Sequence, residues 1–180
     1  LMYFFERSVL RRLRISICNS NFTRNNIQKS YGIRSRQLSV CHKSIDMELW
    51  ASRLHNRKNG AENEILFMGG GNVQRKGLKV LLQACSLVLE ELPDIHVVII
   101  GWDGTTCRLV SKFASAKVRE KIELIEWVPN DRLPSHYAKA TVFVLPSLIE
   151  AFGVAYLEAM ACGTPVIGTR HGGCSEFITH

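Results

Sequence analysis

The sequence predicts an α/β fold, a Rossmann-like doubly wound parallel sheet, on three observations. Short apolar, β-rich runs begin near residues 65, 95, 122, 141 and 166. Helical patterns separate them, and that alternation gives a parallel sheet with right-handed crossovers. Loops rich in glycine or acidic residues follow several of the runs, at the end of the sheet where such folds bind ligands.

Taken in order, residues 6–14 read as the end of a helix and 15–18 as a short strand. Residues 19–23 are polar and can cap a helix running to about Tyr31, ended by Gly32. A second short strand at 37–41 follows. Residues 47–63 are polar with no clear period and read as an interdomain linker. The chain therefore divides into the end of an amino-terminal domain (1–46), a linker (47–63) and a larger domain (64–180).

The larger domain opens with a strand at 65–68 that runs into Gly69-Gly70-Gly71. Leu78, Leu81, Leu82, Cys85, Val88 and Leu89 recur at helical spacing, so 77–91 is an amphipathic helix, ended by Pro93. A glycine loop between strand and helix invites a dinucleotide reading. It does not fit G-x-G-x-x-G, because position 74 is Gln. The strand at 95–100 ends at Gly101-Trp102-Asp103-Gly104, and 106–118 makes a weaker helix. A strand at 122–125 leads to Trp127-Val128-Pro129 and a short helix at 131–139.

The stretch from 141 to 169 carries the chemistry. Its strand is apolar on both faces, as a buried parallel strand must be, and Pro146 and Ser147 stop it. Glu150 follows in a loop, then Phe152 and Gly153, then a helix from about 154 to 160 ended by Cys162-Gly163 with Pro165 beyond. A strand at 166–168 closes the unit. Glu150 falls at the carboxyl end of a strand. Phe152, Gly153 and Val154 offer backbone N–H groups at a helix N-terminus, a ready phosphate site. Glu158 lies on the same helix and can take two hydroxyl hydrogen bonds, as from a ribose. One unit can thus hold a hydroxyl-rich group, a phosphate and a ribose in a row, the shape of a nucleotide-sugar. Without the surrounding string, both glutamates would read as ordinary solvated residues.

The string SLIEAFGVAYLEAMACGTPVIGT resembles the signature of the retaining glycosyltransferases of family 4, the group 1 glycosyltransferases, which have the two-domain GT-B fold. The family pattern is roughly PS-x-x-E-x-F-G-x-x-x-x-E-A-M-A-x-G-T-P-V, and nearly every fixed position matches. The resemblance makes 64–180 the nucleotide-sugar-binding domain, truncated at its carboxy end, and 1–46 a remnant of the acceptor domain. It implies that Lys76, with Arg75 beside it, neutralises the donor diphosphate, and that the amides of Phe152, Gly153 and Val154 assist. It implies Glu150 on the sugar hydroxyls near the reacting carbon, Glu158 on the ribose, and the backbone at Val128 against the base. Relatives often carry an arginine directly after the first loop glycine; here Gly70 stands in that donor-binding position. His171-Gly172-Gly173-Cys174-Ser175-Glu176 resembles a further family turn, whose glycines would bring backbone near the donor. Toward the start only the end of His42-Lys43-Ser44-Ile45-Asp46 matches the family's Asn-Gly-Val/Ile-Asp.

Composition fits a globular protein, 46% hydrophobic and 22% charged. The net charge of +7 is lopsided: residues 1–60 hold 12 Lys/Arg against 3 Asp/Glu, and the remainder 11 against 13. The basic first third could meet an anionic membrane surface or a lipid-phosphate acceptor, or be a solvated face. The six cysteines form no C-x-x-C pair, which fits reduced thiols of a cytoplasmic protein. No apolar run approaches a membrane span. The chain lacks an initiating Met and reads as a fragment.

The expectation is a glycosyltransferase that moves a hexosyl group from a nucleotide-sugar, such as a UDP- or GDP-hexose, to an acceptor hydroxyl with retention. No metal or other cofactor is expected: the chain has no D-x-D and no His/Cys cluster, and cationic side chains and helix amides meet the leaving charge instead. Partners are the donor and an acceptor glycan, lipid-linked or small, with peripheral contact at the inner membrane face as an added expectation and no nucleic acid. Three alternatives stay open: a nucleotide-sugar-binding fragment without activity of its own, a UDP-sugar epimerase of similar fold, and an NAD-dependent dehydrogenase. The F-G-x-x-x-x-E-A-M-A string disfavours the epimerase, and the broken glycine fingerprint disfavours the dehydrogenase.

Overall fold

A computed structural model describes residues 2–51 and 63–179. The amino-terminal lobe comprises α1 (Met2–Arg12), β1 (Ser16–Cys18), α2 (Asn21–Tyr31), β2 (Leu38–Val40) and α3 (Met47–Ala51). β1 and β2 pair in parallel, Ile17 beside Ser39. Local chemistry sets the bounds of α2. The Ser20 hydroxyl accepts from the Thr23 amide, and Gly32 ends the helix in the left-handed region at φ 63°.

The larger unit holds β3 (Glu64–Met68), α4 (Leu78–Glu91), β4 (His96–Ile100), α5 (Gly104–Phe113), α6 (Ala116–Glu120), β5 (Ile122–Ile125), α7 (Leu133–Lys139), β6 (Val142–Leu145), α8 (Val154–Ala161) and β7 (Val166–Gly168). Its five strands are all parallel, in the order β5-β4-β3-β6-β7. From β3 the chain steps outward to β4 and β5, then crosses back to β6 on the other side. The switch point therefore lies between β3 and β6, where open sheets of this kind leave a crevice at the strand tips. Leu66, Phe67, Val97, Val98, Ile99 and Ile100 are all buried, as continuous apolar strands covered on both faces must be.

Helices α4, α5 and α6 pack against one another, and α7 packs on α8 and α3. An aromatic chain fills the second layer: Trp50 meets Tyr137, Tyr137 meets Phe143 and Phe143 meets Tyr156, each edge-on with centroids 5.7, 5.4 and 5.7 Å apart. Glu64, which opens β3, is buried and paired with Lys139 at 2.7 Å.

Two expectations change. The single weak helix at 106–118 is two helices. Asp103 starts α5 with a capping box to Thr106, and Ser115 caps α6 by accepting from the Val118 amide. The linker expected at 47–63 opens as α3, whose Trp50 is buried in the core of the larger unit. Residues 52–62 of that linker lie outside the described residues.

Besides α3, the amino-terminal lobe meets the larger unit around the start of α2. The Ser20 hydroxyl donates to the Ala151 carbonyl at 2.6 Å. The Glu176 carboxylate accepts from the amides of Asn21 and Phe22, from the Asn21 side chain, and pairs with His42 at 3.0 Å. The rings of His42 and Phe152 stack at 5.6 Å. This joint holds the loop between β6 and α8.

Candidate active site

Two loops meet at the switch point. The loop after β3 is pressed onto the loop after β6, and the Leu148 amide donates to the Arg75 carbonyl at 2.8 Å. Gly77 makes that contact feasible. A Cβ there would stand 1.9 Å from the Pro146 oxygen, so no side chain fits. The contact carries Lys76 across to the carboxylates of the next loop and helix.

Lys76 is half-buried and anchored to its own loop, with Nζ donating to the carbonyls of Met68 (3.3 Å) and Gly69. Burial pushes its ammonium pKa down; the charges of Glu150 and Glu158 oppose this, and Arg75 adds to it. Lys76 therefore lies within electrostatic reach of both carboxylates and of Arg75. Arg75 is exposed, its amide tied to the Asn72 side chain at 2.9 Å.

Glu158 is also half-buried and accepts from the Tyr137 hydroxyl at 2.9 Å. Burial pushes its carboxyl up, while the Tyr137 hydrogen bond and the Lys76 charge pull against it. Glu150 is half-buried in the preceding loop, and its carbonyl accepts from the Gly173 amide at 2.8 Å. Gly172 and Gly173 press on the backbone of Glu150 and Ala151 and so help to place the Glu150 loop.

Gly153 opens α8 at φ 92°, in the left-handed region that favours glycine. A Cβ there would stand 2.5 Å from the Tyr156 ring. No side-chain hydrogen bond caps α8 at this end, which leaves its opening amides without a side-chain oxygen. The Phe152 side chain is buried and packs on His42 and Phe177, so only its backbone is free to serve a ligand. Val154 is the first residue of the helix itself.

The structure thus brings together Arg75, Lys76, Glu150, Glu158 and the start of α8. Gly70 lies in the same loop, exposed, and a side chain there would meet nothing within 4 Å. Val128 is not drawn in by its side chain, which is buried in the core beyond β5. Sequence reasoning missed Tyr137. The short helix that carries it resembles a family segment with a tyrosine at this place, but nothing along the chain pairs it with Glu158. Two cavities border the loop after β3, one of about 250 Å³ lined by Gly71, Asn72, Val73, Gln74, Thr105 and Arg108, and one of about 480 Å³ whose lining includes Gln74, Gly77 and Leu148. Another of about 500 Å³ is lined by Arg11, Arg12, Arg14, Arg34 and Arg36, in the amino-terminal lobe.

The family model of glycosyl transferases group 1 matches residues 50–180. A GDP-mannose-dependent alpha-(1-6)-phosphatidylinositol monomannoside mannosyltransferase of Mycolicibacterium smegmatis is 28% identical, over 88% of this chain and 45% of its own length. A D-inositol 3-phosphate glycosyltransferase of Thermobifida fusca is 34% identical, over 82% of this chain and 37% of its own length. The chain spans less than half the length of these curated relatives. Among solved structures, HepE of Anabaena in complex with UDP and glucose superimposes with a TM-score of 0.78 at 17% identity, covering 99% of this chain and 50% of that one. Sucrose-phosphate synthase from Thermosynechococcus elongatus gives 0.80 at 22% identity, covering 98% and 46%. At these identities the likeness is one of fold, the GT-B architecture.

Proposed function

The chain belongs to the group 1 glycosyltransferases, and from that premise we propose that the crevice between β3 and β6 holds a nucleotide-sugar, whose hexosyl group is moved to an acceptor hydroxyl. The observation that carries this is Lys76, a half-buried cation within reach of both Glu150 and Glu158, beside the open amides of α8.

Each group has one task. Lys76 and Arg75 take the diphosphate, with the amides of Phe152, Gly153 and Val154. The Glu158 oxygen that Tyr137 does not occupy accepts from a ribose hydroxyl. Glu150 accepts from sugar hydroxyls and keeps the anomeric carbon in place. The bond between that carbon and the diphosphate oxygen breaks, and the acceptor hydroxyl attacks from the face the diphosphate leaves. Its proton passes to the departing phosphate oxygen, so configuration is retained. Fixed cations and helix amides meet the growing negative charge, the task a metal performs elsewhere.

The acceptor is a glycan, lipid-linked or small. Contact with an anionic membrane surface belongs to the same proposal, supported by the arginines around the amino-terminal cavity. Among the described residues no helix is long and apolar enough to cross a membrane. A second reading, left to the assays below, is donor binding without turnover.

The test is a titration of the chain with UDP, GDP and ADP, followed by their sugars. At least one nucleoside diphosphate should raise the melting temperature, increasingly as its concentration exceeds its Kd. A flat response to all of them overturns the reading. Transfer assays then decide between turnover and binding alone.

A further inference from the structure

Resting on the reading of Glu158 as a ribose ligand, we propose that Tyr137 is a positioning residue of the donor site, whose hydroxyl holds the Glu158 carboxylate in the orientation a ribose needs.

Tyr137 is 0% exposed, and its ring cannot turn freely. Trp50 of α3 and Phe143 of β6 meet it edge-on. Its backbone is fixed as well, because its carbonyl accepts from the Thr164 hydroxyl in the turn after α8. The hydroxyl therefore points one way, onto Glu158 Oε2 at 2.9 Å. A carboxylate on a flexible side chain loses rotamer freedom when it binds a ligand. A fixed donor on one oxygen removes that freedom beforehand and leaves the other oxygen to the ligand.

Tyr156 is the internal comparison. It is equally buried, yet its hydroxyl donates to the main-chain carbonyl of Leu145. That bond serves packing. Tyr137 uses the same group on the side chain of a half-buried acid.

The groups facing Glu158 are Tyr137 from α7, Lys76 from the loop before α4, and Cys162 at the end of its own helix. Of these, the Tyr137 hydroxyl and the Lys76 ammonium favour the charged carboxylate, and burial opposes them. Loss of the hydroxyl should therefore leave Glu158 protonated to a higher pH.

The test uses Tyr137→Phe, Glu158→Gln, the double variant and Tyr156→Phe. Phenylalanine keeps the ring and its contacts, and melting temperatures verify each fold. UDP, GDP and ADP affinities are measured by calorimetry from pH 5 to 8. Tyr137→Phe should weaken the diphosphate that the wild-type chain binds by about tenfold, the scale of one hydrogen bond to a charged group. It should also move the acid loss of affinity to higher pH. In the Glu158→Gln background the same change should cost nothing further, and Tyr156→Phe should leave the pH profile in place. Wild-type affinity and profile in Tyr137→Phe, or losses that add in the double variant, overturn the positioning role alone. A wild-type chain that binds none of UDP, GDP and ADP overturns the donor-site reading and this role together.

Discussion

Glu176 at the lobe joint and Glu158 in the crevice are both glutamates, and the protein treats them in opposite ways. Burial pushes both carboxyls up. At Glu176 hydrogen bonds from Phe22, Asn21 and His42 outweigh burial and hold the carboxyl at about 2. At Glu158 the single hydroxyl of Tyr137 and the charge of Lys76 do not outweigh it, and the carboxyl stays raised. The first carboxylate is satisfied by its own chain, since the open end of α2 supplies amides and a positive dipole end. The second is left short of donors. A half-buried acid short of donors, beside a half-buried cation and an uncapped helix start, is a place prepared for a ligand's hydroxyl groups.

If that contrast is right, the two residues should fail differently when removed. The largest effect falls on stability. Glu176→Ala strips the α2 amides, the Asn21 side chain and His42 of their shared acceptor, and should cost about 3 kcal/mol, the scale for hydrogen bonds to a charged group at a helix end. Chemical denaturation measures this. The sign with pH follows from a depressed carboxyl. The stabilisation is fully present above the ordinary carboxylate range and is lost as pH falls toward about 2. The variant should lack that acid-dependent loss. A variant as stable as the wild type would dissolve the contrast from the structural side.

The next effect falls on binding. Glu158→Ala should weaken diphosphate binding by about 2 kcal/mol while costing less stability than Glu176→Ala, because a desolvated acid with few partners adds little to the fold. Unchanged affinity with lowered stability would make Glu158 a second structural carboxylate. Glu150→Ala sharpens the picture within the crevice. It should reduce transfer more than it reduces diphosphate affinity, and an equal loss of both would move Glu150 from the sugar to the nucleotide.

What the sequence reveals of this contrast is uneven, for physical reasons. The limits of α2 follow from Ser20 and Gly32, because caps act over three or four residues. The central strands are visible because a strand buried on both faces must be apolar throughout, whereas β5 and β7 at the sheet edges keep exposed residues such as Glu123 and Ile167. Glu150 and Glu158 stand out because the string around them resembles a family signature; spacing alone would leave them ordinary solvated residues. The partners of Glu176 do not stand out, since Asn21 lies 155 residues away and only the docking of the lobes brings them together. Tyr137 is missed for the same reason on a smaller scale: α7 and α8 are separate helices, and only their packing joins hydroxyl to carboxylate. The break between α5 and α6 is different. Ser115 is a local cap and was readable, but the apolar pattern continues across it.

The smallest effect tests the crevice from its cationic side. Burial pushes the Lys76 ammonium below the ordinary lysine range, with Glu150 and Glu158 resisting. The charged form that a diphosphate needs is therefore lost at lower pH than on a free lysine. Affinity for UDP or GDP should decline on the alkaline side earlier than a solvated lysine would allow, by a modest factor. Binding should also take up protons there, because the diphosphate restores the charge on Lys76. Calorimetry in buffers of different ionisation enthalpy measures that uptake directly. Lys76→Arg should abolish both the decline and the uptake, since a guanidinium stays charged throughout. Uptake that persists in the arginine variant would assign the titration to another group and leave Lys76 as an anchor for its own loop, bound to the carbonyls of Met68 and Gly69.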